Sequence, residues 1–339
     1  MAIIDSIKTA KEKVRRYMYA GIPCYLEGPP GVGKSECIEQ ITTEEKIGFI
    51  DTRAAQMDPV DLRGLPHNEK VNGHVITTWS RPDFLPDAQR HGEKGIWLLD
   101  ELADCTKAMQ SACYQPILNH CVGPHKIPPG WYICGAGNSQ KHRAGAQAMS
   151  SALANRFAHI TVEADWDCFR EYGARNGLNP IIIGFTKQRP NMLHNMDGFI
   201  AGEKAFPSPR SWFKASLVCD APSNMRMGLI AGCVGEAAAA EFEGFLRTVD
   251  LPDIDDICAN PKKCHIPEQP SHKYALTTML AQHATLSNFD KICIYISRPE
   301  FGRDFEVCVM LDASKRDESL AATAAFTAFA NRNLSLVVN

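Results

Sequence analysis

The sequence has no long apolar run, no excess of positive charge and no paired-cysteine motif. Nothing in it approaches the roughly 18 to 20 apolar positions that a membrane-spanning helix needs. Its opening, "MAIIDSIKTAKEKVRR", lacks the layout of a secretory signal, so the chain is expected to stay in the cytoplasm. A formal net charge of −3 gives no electrostatic reason to expect nucleic acid or an anionic membrane as the main partner. The thirteen cysteines are odd in number and scattered, often inside apolar strings such as "IWLLDELADC" and "WYICGAG". That is the pattern of core thiols in a reducing compartment, and it excludes a disulfide framework. Cys258, Cys264 and His265 come nearest to a metal cluster, and with no CxxC beside them they are read as side chains without a ligand role. Internal repeats and low-complexity tracts are also missing.

What is present is a globular composition, 45% hydrophobic and 22% charged, in 339 residues, enough for one large domain or two smaller ones. Apolar residues from Ile3 to Tyr17 recur at a helical period, predicting a first amphipathic helix. "IPCYLEG", "IGFIDTR", "GIWLLDE", "WYICGAGN" and "FAHITVEA" are short apolar runs of the buried-strand type, with helical or loop material between them. Such alternation over residues 1–163 predicts a mostly parallel sheet with helices on both faces. Beyond it the strand signal fades. "DWDCFREYGARNG", "SPRSWFKASLVCD", "GLIAGCVGEAAAAEFEGFLRTV" and "ESLAATAAFTAFANR" read as helices, which predicts a mainly helical remainder. "ICIYISRPEFGRDFEVCVM" is open between short strands and helices, and Arg298 and Arg303 within it read as a solvated charged face.

One stretch carries chemistry openly. Gly28-Pro29-Pro30-Gly31-Val32-Gly33-Lys34-Ser35 fits G-x-x-x-x-G-K-[ST] and lies between an expected strand and an expected helix, "KSECIEQITTEE". Small residues let successive backbone N–H groups curl around a phosphate, and the helix N-terminus adds partial positive charge. In this pattern Lys34 reaches the β- and γ-phosphates of a nucleotide and Ser35 is a Mg²⁺ ligand; Glu36 closes the binding segment. "GIWLLDELAD" then ends an apolar strand in Asp100 and Glu101, the first placed to hold Mg²⁺ through its water shell and the second to polarise an attacking water. Asn138 ends another apolar strand, where it either orients that water or simply forms a turn after Gly137.

In this order the P-loop, "LLDE", "GAGNS", "SSALANRFAHI" and "FPSPRSW" resemble the AAA+ ATPases, and most closely their MoxR-like branch, related to dynein-type modules. "MDPVDLRGLP" and "WSRPDFLP" are similar to the helix-2 insertion of that branch, and "HCVGPHKIPPGW" to its pre-sensor hairpin. The resemblance covers about residues 20 to 215. It implies a P-loop NTPase core at 1–163, a helical lid at 164–250 and a lid extension at 251–339. By position, Lys34 and Ser35 match Walker A, Asp100 and Glu101 match Walker B, and Asn138 matches sensor 1. Arg156 matches an arginine finger reaching a neighbouring subunit's ATP, and Arg210 matches the sensor 2 arginine. Arg143 is a rival finger; Arg156 can also be a surface ion-pair residue, and Arg210 a helix N-terminal residue held by Ser208 and Ser211.

The resemblance further implies ATP and Mg²⁺, a ring of identical subunits (a hexamer), and a client protein remodelled by hydrolysis beside a von Willebrand A-type partner. Two other readings stand: a nucleic-acid motor or restriction-type translocase, against which the acidic balance counts, and a low-turnover nucleotide-gated scaffold, against which Glu101 counts.

Overall fold

The structure is a computed structural model that describes residues 4–139, 149–200 and 202–333. The chain divides into two compact units, Met1–Ala164 and Asp165–Asn339.

In the first unit a six-stranded, all-parallel sheet has the order β1-β10-β2-β9-β6-β3. Its strands are β1 (Ile4–Asp5), β2 (Cys24–Gly28), β3 (Gly48–Arg53), β6 (Lys94–Asp100), β9 (Gly130–Asn138) and β10 (Ala158–Val162). Two hairpins stand apart from it, β4 (Pro66–Val71) with β5 (His74–Trp79), and β7 (Cys121–Val122) with β8 (His125–Lys126). The long helices are α1 (Ile7–Ala20) and α2 (Lys34–Glu45). Shorter ones are α3 (Pro59–Arg63), α4 (Ala88–His91), α5 (Lys107–Ala112), α6 (Tyr114–Asn119) and α7 (Ser151–Ala154). This is the expected P-loop NTPase core.

Strand alternation divides the sheet's side chains between two cores. Cys24, Leu26, Ile96, Leu98, Cys134, Ala136, Ile160 and Val162 pack with Val14 of α1 and Ile38 and Ile41 of α2. Tyr25, Trp97, Leu99, Trp131 and Ile133 fill the opposite core with Met109 and Phe157. The first helix begins later than its periodicity suggested. Ile4 and Asp5 pair with Thr161 and Val162, and Ser6 then caps α1 by accepting from Thr9 N, so these two residues form the sheet's edge strand.

The second unit is helical among its described residues. Its helices are α8 (Trp166–Arg175), α9 (Pro180–Gln188), α10 (Asp197–Ile200), α11 (Pro209–Ser216), α12 (Ser223–Val234) and α13 (Glu236–Leu246). They continue with α14 (Ile254–Ala259), α15 (Pro270–His283), α16 (Phe289–Ile296), α17 (Arg303–Arg316) and α18 (Ala324–Arg332). The segment "GLIAGCVGEAAAAEFEGFLRTV" is two helices instead of one. Gly235 breaks it at φ 89°, where an added Cβ would lie 2.9 Å from Ala205 O. The segment left open between strands and helices contains α16 and the start of α17; Arg298 donates to Cys264 O at 2.5 Å and Arg303 to Asn333 Oδ1 at 2.9 Å.

Residues expected as lid and as extension share this unit's interior. Gln282 of α15 donates to Leu178 O at 2.9 Å, and Arg170 of α8 pairs with Asp312 of α17, both side chains buried. Removing one partner of such a pair costs about 3–5 kcal/mol, because the other charge stays desolvated. Among the described residues no helix is long and apolar enough to cross a membrane.

His272 of α15 gives this unit a pH dependence. It is 5% exposed, lies against Phe245 at 5.6 Å, and its Nε2 is buried with no partner among the described residues. Burial holds its pKa below the usual 6.5, although Asp250 pulls the other way. The unfolded chain therefore binds the proton more readily than the folded one, and stability is lost as pH falls below about 6.5. We expect the thermal midpoint to fall less between about pH 7.5 and pH 5.5 in His272→Phe than in the wild type; equal slopes would assign the acid sensitivity to other groups.

Candidate functional site

Parallel strands present all their C-terminal ends at one edge, and the chemistry-bearing residues gather there. The loop from Gly28 to Gly33 leaves β2 at this edge and enters α2. Gly28 packs so closely on β10 that an added Cβ would lie 2.2 Å from Val162 O. Gly31 and Gly33 have φ of 80° and 95°, a region that disfavours residues with a Cβ. Gly33 is the N-cap of α2 and offers no side-chain cap, which directs the helix's positive end into the loop.

Lys34 is 8% exposed, and its Nζ donates to Gly28 O at 3.1 Å, Pro29 O at 2.8 Å and Asn138 Oδ1 at 3.3 Å. Asn138 pairs with Gly28 across β9 and β2, and Ser139 N donates to Gly28 O at 3.2 Å. Ser35 Oγ donates to Asp100 Oδ2 at 2.6 Å. Asp100 Oδ1 accepts from Glu101 N at 2.8 Å, which fixes the carboxylate at the strand end. The fold thus brings Lys34, Ser35, Asp100, Glu101 and Asn138 to one edge.

These donors fit a hard cation. A hydroxyl and a carboxylate oxygen, 2.6 Å apart, are the oxygen groups that would hold Mg²⁺, directly or through its bound water. Glu101 is a non-glycine residue at φ 56°, ψ 25°, where the strand turns into a short 3₁₀ helix, Leu102–Asp104. That conformation costs about 1–2 kcal/mol for an L-residue with a Cβ.

The sequence reading missed one acid here. Asp51 of β3 pairs with Leu98, and Arg53 with Asp100, so Asp51 lies on the face of the sheet that carries α2, one strand over from Asp100. Desolvation and the Asp100 carboxylate push the Asp51 carboxyl above its ordinary range; Arg53 opposes them, while Glu101 and Glu39 add to the rise. The signal was the acid near the end of "IGFIDTR", the same placement that marked Asp100.

Of the two arginines, Arg156 belongs to the first unit and Arg210 to the second. Arg156 precedes β10 at the sheet's other edge, and the five residues of that strand, about 16 Å, separate it from the P-loop edge. No carboxylate pairs with it among the described residues, so it is not a surface ion-pair residue there. Arg210 is an exposed residue of α11 in the second unit. Ser208 and Ser211 bond to one another in a capping box, and no hydrogen bond or ion pair holds the Arg210 side chain among the described residues. Arg143 lies outside the described residues.

No family model matches the chain. Solved structures similar to it include NtrX from Brucella abortus in complex with ATP, at 14% identity over 99% of this chain and 70% of that one, with a TM-score of 0.39. Another NtrX structure from Brucella abortus has 15% identity over 97% of this chain, which spans 66% of that one, with a TM-score of 0.35. The RuvB Holliday junction branch migration motor of Thermotoga maritima has 16% identity over 87% of this chain and 89% of that one, with a TM-score of 0.37. Likenesses this distant add nothing to what the site's own geometry says.

The backbone at Glu101 yields a prediction separable from any activity. Glycine adopts φ 56° without strain. Glu101→Gly should therefore keep the wild-type thermal midpoint or raise it slightly, the change staying within about 1 kcal/mol. A larger loss would mean that the Glu101 side chain helps to hold the turn.

Proposed function

We propose that this chain is a Mg²⁺-dependent AAA+ ATPase of the MoxR-like kind, working as a ring of identical subunits, a hexamer, that remodels or activates a client protein. The observation that carries the ATPase reading is the 2.6 Å bond from Ser35 of the glycine-rich loop to Asp100 at the end of a separate buried strand, with Lys34 set on Asn138 beside it.

In this reading the loop backbone from Gly28 to Gly33, with the first turn of α2 through Glu36, binds the phosphates, and Lys34 balances their charge. Ser35 and Asp100 hold Mg²⁺, which when bound neutralises charge on the phosphate oxygens. Glu101 orients and deprotonates the attacking water, and Asn138 fixes its position. What supports a ring is the place of Arg156: a guanidinium at the opposite sheet edge serves a neighbour's nucleotide instead of its own. Arg210 acts as the second sensor of the bound phosphate. The client, and a von Willebrand A-type partner that recruits it, belong to the MoxR-like part of the proposal.

Titration with labelled ATP tests the phosphate role: Lys34→Ala should abolish binding, and unchanged binding would refute it. Hydrolysis assays test the reaction, since Glu101→Gln should bind ATP and lose turnover by about 10²-fold or more. Equal, negligible rates in wild type and variant would leave a nucleotide-gated scaffold as the better reading. Proteins retained by ATP-trapped Glu101→Gln rings would identify the client; stimulation of turnover by DNA or RNA would instead favour the nucleic-acid motor.

A further inference from the structure

Arg156 is held, but it is not neutralised. Its guanidinium lies over the Tyr114 ring, 4.7 Å from the centroid, and its Nη1 donates to Ala152 O. Its Nε is buried without an acceptor among the described residues. A cation in this state is fixed in direction while its charge remains available to an anion.

The ring that holds it is itself braced. Tyr114 opens α6, and its hydroxyl shares a 2.7 Å hydrogen bond with Ser150 Oγ. Ser150 is the N-cap of α7, the helix immediately before Arg156, and its Oγ accepts from Leu153 N at 3.3 Å. Ser150 N donates to Oε1 of Gln110, a fully buried residue, at 2.9 Å. Gln110 Nε2 donates in turn to Cys105 O at 3.4 Å, and Cys105 Sγ to Glu101 O at 3.6 Å. The brace therefore starts at the backbone of Glu101 and ends under Arg156.

We propose that Tyr114 is a positioning residue for Arg156. Its ring sets the direction of the guanidinium, and Ser150 and Gln110 hold the ring in register with the turn that carries Glu101. The proposal rests on the reading of Arg156 as a finger for the neighbouring subunit. Tyr114 touches no nucleotide of its own subunit in this scheme, so its loss should lower turnover and spare ATP affinity.

The test uses the full-length chain, labelled ATP for affinity and steady-state hydrolysis for turnover. Tyr114→Leu should keep the wild-type Kd and lower kcat about tenfold, the scale of a partly desolvated cation–π contact; Tyr114→Phe, which keeps the ring but loses the hydroxyl bond to Ser150, should fall between Tyr114→Leu and wild type. Mixing supplies the decisive readout. Lys34→Ala subunits cannot turn over ATP but carry an intact Arg156, so mixing them with Tyr114→Leu subunits should restore activity, as mixing them with Arg156→Ala subunits should. Should Tyr114→Leu fail to fold, Tyr114→Met preserves the packing and is read in the same way.

The outcomes separate the two claims. Retained turnover in Arg156→Ala would overturn the finger reading, and this inference with it. Lost and rescuable turnover in Arg156→Ala, beside wild-type kcat in Tyr114→Leu, would overturn the inference alone. So would a Tyr114→Leu defect that no intact neighbour rescues, because the tyrosine would then serve only its own subunit's fold.

Discussion

The hydrogen bond from Ser35 to Asp100 spans a gap that the sheet imposes. Ser35 comes after β2 and Asp100 ends β6, and β9 lies between the two strands, which therefore stand two strand spacings apart, about 9.5 Å. The gap closes because α2 starts above the strand ends instead of continuing β2, and the intervening β9 ends in Asn138, which accepts from Lys34. Strand order and the glycine-rich loop thus act together to close the site.

Much of the first unit was legible from local pattern. Fully buried parallel strands are continuous apolar runs, and the glycines at positive φ announce a turn that few other residues tolerate. The edge strand β1 escaped because Ile3 and Ile4 also suit a helical period, and pairing with a strand some 160 residues away leaves no local trace. The helix α15 escaped for the opposite reason. It is central to the second unit, with Ser271, His272, Leu276, Thr278 and Leu280 all buried, so it presents no polar stripe to mark a face.

The site was legible where type and spacing carry the chemistry, and opaque where one residue supports another. Lys34, Ser35, Asp100 and Glu101 stand in a recognisable order. Tyr114 and Asp51 are ordinary residues in ordinary strings, and their interest arises only from what lies beside them: a guanidinium across a loop, a carboxylate across a strand pair. Such relations are set by register and helix approach, which no window of sequence contains.

The position of β10 has a consequence for how the protein is made. The last strand of the first unit lies between its first two, paired with β1 on one side and β2 on the other. A ribosome adding about 5–20 residues per second needs roughly seven to twenty-seven seconds to pass from the end of β2 to the end of β10. Until then β2 has an open edge and the loop above it lacks the Val162 carbonyl against which Gly28 packs. The glycine-rich loop is therefore made well before its surroundings are completed, and the nascent chain depends over that interval on whatever shields an unpaired strand edge.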